Sequence, residues 1–544
     1  MANNIKNEEK EVANNIFWKK VDLLRGSTPA WEFKQYILGF LFYRYISENI
    51  INYINETEYS TGDLNFDYKK LSNNDAEKIR KEIIEEKGYF ILPSDLFQNI
   101  VNQILKVENN NKNDNLDNSL NEKLNNIFKN IEHSAIGEKS QDNFKDLFNN
   151  INVNNKELGS SVININKKLK KIIIAIAEVN LDDYKNNSKD SFGNAYEYLM
   201  TMYASNAGKK GGEFFTPQEV SELLTRITLI DKDGKYKKEI NKVYDPAAGS
   251  GSLLLNFAKI IGKENIRLGF FGQEIDIETY NLCRINMFLH NIGYDKFDIQ
   301  LGDTLIEPKH LDEDKFEAIV SNPKYSVKWE GKDNGTLIND PRFSPAGVLA
   351  PKKNGDFAFI MHSLYLLAVN GTAAILSFPG IMYRTKAEQK IRKYLIDNNF
   401  VEAIIQLPEK LFHGVDIATC ILVLKKNKIN NRTLFIDASK EFIKGPNQNK
   451  LSTERNNYEN NNIKSILDLY MQRDTIEYKS YLAKRDEIEK NDYNLSVSTY
   501  VEKENTQKVI NINVLNENIK KIVQKENILR DEIDKIILQI EENN

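Results

Sequence analysis

The chain has 544 residues, with Lys+Arg 74 against Asp+Glu 78 and a formal net charge of -4. That length implies two to four folded units, and a hydrophobic share of 41% is enough to give them cores. The near balance of charge excludes a globally basic chain, so any nucleic-acid surface must be local or shared with a partner.

Met1 to Asn15 is polar and charged with no apolar h-region, so no export signal is expected. Residues 17–25 place apolar side chains at helical spacing, and Thr28-Pro29 starts a second helix. That helix carries Trp31, Phe33, Tyr36, Ile37, Phe40, Leu41 and Tyr43, more apolar surface than a solvated helix needs. Residues 109–118 read as a surface loop, and helical character returns from Leu120 through Val179. From about 190 to 437, short β-branched runs alternate with helical stretches, which indicates a doubly wound α/β domain. Expected strands lie at 242–244, 270–272, 316–321, 372–378, 401–407 and 419–425, with helices at 252–261 and 277–290. Residues 447–462 form a polar loop. The last block, 509–540, is a long amphipathic helix or helix pair that packs on its own domain or forms a seam for a partner helix. The two most apolar stretches, 172–179 and 373–382, are far shorter than the roughly 20 residues of a membrane span. Cys283 and Cys420, the two cysteines, have apolar neighbours and read as core residues of a reducing compartment.

The run Asp245-Pro246-Ala247-Ala248-Gly249-Ser250-Gly251-Ser252 follows an expected strand and opens a helix. Two glycines let backbone N–H groups approach a ligand at the helix N-terminus. No Lys-Ser/Thr pair follows, which disfavours a phosphate-cradling loop. The next strand ends in Gly272-Gln273-Glu274-Ile275-Asp276, with Glu274 about 20 residues on, where an acid grips ribose hydroxyls. A third strand would end at Gly302-Asp303-Thr304, whose carboxylate could accept from an adenine amine. Three successive strand ends with polar groups point to a nucleoside-containing cofactor. The fourth strand runs into Ser321-Asn322-Pro323-Lys324-Tyr325.

Asp-Pro-Ala-Ala-Gly-Ser-Gly followed by this Asn-Pro-x-Tyr loop resembles the S-adenosylmethionine-dependent amino-methyltransferases of DNA. Residues 18–47, Gly212-Glu213-Phe214-Phe215-Thr216-Pro217, Phe378-Pro379-Gly380-Ile381-Met382-Tyr383-Arg384 and Gln406-Leu407-Pro408 are further similar to the modification (M) subunit of type I restriction-modification systems. The cofactor loop precedes the reaction loop, as in the gamma class of adenine N6-methyltransferases. The resemblance implies an α/β fold. Its core is a Rossmann-like S-adenosylmethionine-dependent methyltransferase sheet (181–475), with an N-terminal helical domain (1–180) and C-terminal helices for assembly (476–544).

The resemblance also implies roles. Asn322 and the Pro323 carbonyl would accept hydrogen bonds from the target amine, and Tyr325 would stack on the flipped adenine. Phe215, Thr216 and Pro217, with Asp245, Ala247, Gly249, Ser250 and Gly251, would surround the methionine half of S-adenosylmethionine. Glu274 would hold its ribose, and Asp303 with Thr304 would border its adenine. No metal is required. The implied partners are double-stranded DNA, a specificity (S) subunit, a second modification subunit and restriction (R) subunits, in the cytoplasm and with no membrane. Lys209-Lys210 and Lys352-Lys353 are candidates for phosphate contact, or ordinary solvated surface. The family usually has a second proline where this chain has Lys324. Lysine loosens the loop and places a cation near an amine that becomes positive. The consequence is either a natural variant reaching for phosphate or a weakened site, a cofactor- and DNA-binding scaffold. N4-methylation of cytosine shares overlapping loops, but Asn322 and the whole-chain resemblance favour adenine.

Overall fold

The computed structural model describes residues 21–22, 24–26, 28–110, 116–181, 191–206, 216–412, 416–445, 448–452, 461–503 and 512–542. Most of the expected 17–25 helix, most of the 447–462 loop and the Lys209-Lys210 pair lie outside them. The chain divides into two units, Met1–Val501 and Glu502–Asn544.

Among the described residues, the first unit has eleven strands: β1 (Ile240–Asp245), β2 (Ile266–Glu274), β3 (Phe297–Leu301), β4 (Phe316–Ser321), β5 (Leu367–Ser377), β6 (Val401–Gln406), β7 (Cys420–Lys425), β8 (Thr433–Asp437), β9 (Ile443–Lys444), β10 (Asn449–Lys450) and β11 (Ser480–Ala483). Nine form one sheet in the order β11-β8-β6-β7-β5-β4-β1-β2-β3, and β9 and β10 pair separately. The run from β3 to β5 is parallel, whereas β7 is antiparallel to both β5 and β6. The strand order reverses between β1 and β4, a switch point that leaves a crevice beyond the carboxyl ends of the strands.

Alternation along β1 sends Val243 into one core and Tyr244 into the other. Helices Gln218–Thr228, Ser252–Ile261 and Ile277–Leu289 cover the Val243 face, and helices Asp356–Leu366 and Ala387–Asp397 cover the Tyr244 face. The expected 181–475 boundary falls short of the observed sheet. Ser480–Ala483 pairs antiparallel with β8, so residues 480–483 belong to the sheet rather than to a separate assembly region.

The N-terminal part is helical as expected. Pro29 caps helix Ala30–Thr61, and Gly62 ends it in the left-handed conformation. Phe33, Tyr36, Ile37, Phe40, Leu41 and Tyr43 are all buried, together with Leu38 and Phe42, so this helix is enclosed on most sides. Its core is continuous with the Val243 face of the sheet. The seam is polar as well as apolar. The buried Arg284 guanidinium donates to the carbonyls of Asp142, Asn143 and Lys145, and Phe144 packs 4.8 Å from Phe288.

The second unit contains one continuous helix, Ile512–Glu542, rather than a pair. Leu515, Ile519, Ile522, Ile533 and Ile536 repeat at helical spacing along it and are about half exposed or more. Among the described residues no helix is long and apolar enough to cross a membrane.

Candidate active site

A cavity of about 610 Å³ lies at the switch point, within the range of ligand pockets. Thr216, Ala247, Gly249, Ser250, Glu274, Asp303, Thr304 and Asn322 all line it, which brings together eight of the residues singled out from the sequence. Pro217, Asp245, Gly251, Pro323 and Tyr325 are not part of its lining. Phe215 lies outside the described residues.

The glycine turn is held by β2. Ala248 donates its N–H to the Gln273 carbonyl at 3.0 Å, and Gly249 donates to Glu274 Oε2 at 2.9 Å. The other Glu274 oxygen accepts the Ile275 and Asp276 N–H groups, each at 3.0 Å. One carboxylate thus fixes both the turn and the start of the next helix while facing the cavity. Burial raises its pKa, and those three N–H groups oppose the rise.

Asp245 is fully buried beneath the turn, and its Oδ1 accepts the Ala247 N–H at 2.9 Å. Burial pushes this carboxyl up to about 7, with the Ala247 amide and Ser321 hydroxyl opposing and the Glu274 charge adding. Gly251 is constrained by packing. Its φ is +79°, and an added Cβ would meet Cys283 Sγ at 2.9 Å and Met287 Cε at 3.0 Å. Glycine is needed there so that helix Ser252–Ile261 can approach helix Ile277–Leu289. Cys283 and Cys420 are both buried and free, as their apolar neighbours suggest.

The reaction loop starts at the end of β4. Asn322 Nδ2 donates to Thr216 Oγ1 at 3.0 Å, and Tyr325 Oη donates to Asn322 Oδ1 at 3.1 Å. These two bonds fix which way the amide faces. Burial drives the Tyr325 phenol pKa well up, so it remains a donor. Ser326 follows in the left-handed conformation (φ +52°), and its N–H donates to Asp356 Oδ1 at 3.2 Å. The Gly355 N–H donates to the Val327 carbonyl at 2.9 Å, so helix Asp356–Leu366 clamps the end of the loop at two points.

Sequence reasoning missed Leu305, Val327, Lys328, Trp329 and Phe359, which also line the cavity. Apart from Leu305, beside Asp303-Thr304, none of these carried a local signal, because their register depends on how the 322–355 connection folds back. Lys352 pairs with Asp333.

The acids Glu274 and Asp303 and the apolar wall of Ala248, Leu305, Trp329 and Phe359 suit a nucleoside. Residues 187–509 match the N-6 DNA Methylase family, and residues 13–176 match the HsdM N-terminal domain. The chain belongs to the N-6 DNA methylase family. It is 44% identical to the type I restriction enzyme MpnII methylase subunit of Mycoplasma pneumoniae, over 98% of this chain and 97% of that protein. Identity to the MjaVII methylase subunit of Methanocaldococcus jannaschii is 32%, over 64% of this chain and 60% of that one. A type I restriction-modification methyltransferase subunit from Streptococcus thermophilus superimposes with a TM-score of 0.77 at 33% identity, covering 91% of this chain and 100% of that one. As an N-6 DNA methylase the chain is an enzyme, and its fold matches that of a type I restriction-modification methyltransferase subunit.

Proposed function

We propose that this chain is the modification subunit of a type I restriction-modification complex and transfers a methyl group from S-adenosylmethionine to N6 of a flipped-out adenine. The observation that carries this reading is Asn322, its amide oriented by Thr216 and Tyr325 at the edge of a nucleoside-sized cavity.

S-adenosylmethionine would supply an electrophilic methyl group in that cavity. Glu274 would accept from the ribose hydroxyls, and Asp303 from the adenine amine. Gly249 and Ser250 would border the methionine half, with Asp245 supporting the turn from below. The target base must leave the duplex to be reached. Asn322 Oδ1 and the Pro323 carbonyl would then accept the two hydrogens of its amine. This turns the nitrogen lone pair toward the cavity and stabilises the positive charge that grows on nitrogen. Displacement needs no nucleophile from the protein, so positioning carries most of the catalysis. Tyr325 would exchange its bond to Asn322 for stacking on the base.

The net charge of -4 suits a catalytic subunit that does not hold DNA by itself. We assign target choice to a separate specificity subunit and its docking to the apolar stripe of helix Ile512–Glu542. A second modification subunit and restriction subunits complete the expected assembly. The test is transfer of radiolabelled methyl groups to DNA by the full chain reconstituted with its specificity subunit. Absence of transfer, with cofactor binding intact, would favour the second reading, a binding scaffold silenced at Lys324, which lines the cavity beside Asn322.

A further inference from the structure

The connection 322–355 is long and irregular, yet it supplies Lys324, Val327, Lys328 and Trp329 to the cavity. A wall made from such a segment must be fixed from outside the cavity. The fixing point is Arg342, whose side chain is only 1% exposed.

A guanidinium has five N–H donors, and each of the five has an acceptor here. Nε donates to Asp340 Oδ1 at 3.0 Å, and Nη2 donates to Asp340 Oδ2 at 2.7 Å. Nη2 also reaches the Leu305 carbonyl at 2.8 Å, and Nη1 the Thr304 carbonyl at 2.9 Å. The fifth bond, 3.1 Å long, joins Nη1 to His362 Nδ1. Because guanidinium can only donate, His362 Nδ1 must accept, and the ring proton sits on Nε2, 3.0 Å from Tyr244 Oη. Burial and the Arg342 charge hold His362 neutral, consistent with that tautomer. Arg342 therefore joins the loop after β3, helix Asp356–Leu366 and β1.

Two cavity walls connect to this one side chain. Thr304 and Leu305 line the cavity, and Thr304 Oγ1 donates to the Pro246 carbonyl in the cofactor turn at 2.6 Å. The guanidinium also lies 4.6 Å from the Phe343 ring centroid, and Phe343 packs edge-on against Trp329 at 5.4 Å. We propose that Arg342 is a positioning residue for the cofactor, setting the spacing between the Thr304-Leu305 wall and the Trp329 wall without touching the cofactor itself. This rests on the methyltransferase reading above. Lysine cannot replace it, because a single ammonium cannot span two carbonyls, a carboxylate and an imidazole.

The test compares wild type with Arg342→Lys, using calorimetric titration with S-adenosylhomocysteine and steady-state methylation by the reconstituted complex. The expected result is at least a tenfold rise in both the dissociation constant and the cofactor KM. At saturating cofactor, kcat should stay within about twofold and the DNA KM should be unchanged. Wild-type affinity in Arg342→Lys would overturn the proposal, as would equal losses in cofactor KM, DNA KM and kcat. If Arg342→Lys does not fold, Asp340→Asn decides. It keeps the carbonyl contacts but loosens the fork, and should raise the cofactor KM two- to fivefold; an unchanged KM would overturn the proposal. Failure of wild type to bind S-adenosylhomocysteine would instead overturn the methyltransferase reading.

Discussion

The side-chain nitrogen of Asn322 donates to Thr216 Oγ1 at 3.0 Å, joining the reaction loop to a residue 106 positions away in sequence. An amide so held presents its oxygen, rather than its NH₂ group, toward Tyr325, the orientation the proposed reaction needs. Thr216→Val removes the bond at nearly constant volume. It should lower kcat by roughly 10- to 100-fold through misorientation, while cofactor affinity falls less than threefold. Equal losses in kcat and affinity, measured by steady-state kinetics and titration, would mean that Thr216 serves the cofactor alone.

Lys324 stands where a proline would fix φ and stiffen the loop. It is exposed and contributes to the cavity lining, so its cation is near the region where the proposed reaction would develop positive charge. Lys324→Pro is expected to raise kcat by about 3- to 10-fold through loop stiffening and removal of the repelling cation. Equal rates for the two proteins would show that the lysine does not limit the reaction.

Gly251 tests the division between packing and binding. Gly251→Ala forces a residue with φ +79° and a Cβ 2.9 Å from Cys283 Sγ. Thermal unfolding should reveal a loss of about 1–3 kcal/mol. Adding Cys283→Ala should restore part of it by clearing the sulfur. Cofactor affinity of the folded variant should change little, because Gly251 does not line the cavity.

The local signals of the site were legible because they are short-range. A strand, a glycine turn and a helix in succession located 245–252, and the acid after the next strand located Glu274. Expected strands such as 401–407 and 419–425 match β6 and β7 closely, since buried strands read as continuous apolar runs. Long-range facts were not legible. The four residues of β11 pair at a sheet edge, with no pattern to separate them from a loop. The packing constraint on Gly251 was not legible, because its steric partners, Cys283 and Met287, lie on another helix. Arg342 carries no local signal, because its acceptors at 304, 305, 340 and 362 come together only in the fold.

Asp245 gives a pH prediction. Its folded pKa of about 7 lies above the unfolded value near 4, so the native state holds the proton more tightly. Stability from this group is therefore greatest below about pH 4 and is lost as pH rises through 7. Asp245→Asn should unfold about 2–4 °C above wild type at pH 8, with the difference vanishing near pH 4. Its cofactor affinity should change little, because the amide oxygen can still accept the Ala247 N–H. A Tm difference independent of pH would show that Asp245 does not titrate in this range.

The most direct test is mass analysis of nucleosides from DNA methylated by the full chain with its specificity subunit, alongside Asn322→Ala. The account predicts N6-methyladenine as the sole new nucleoside, with formation by Asn322→Ala reduced by about 100-fold or more. N4-methylcytosine, or undiminished N6-methyladenine from Asn322→Ala, would contradict it.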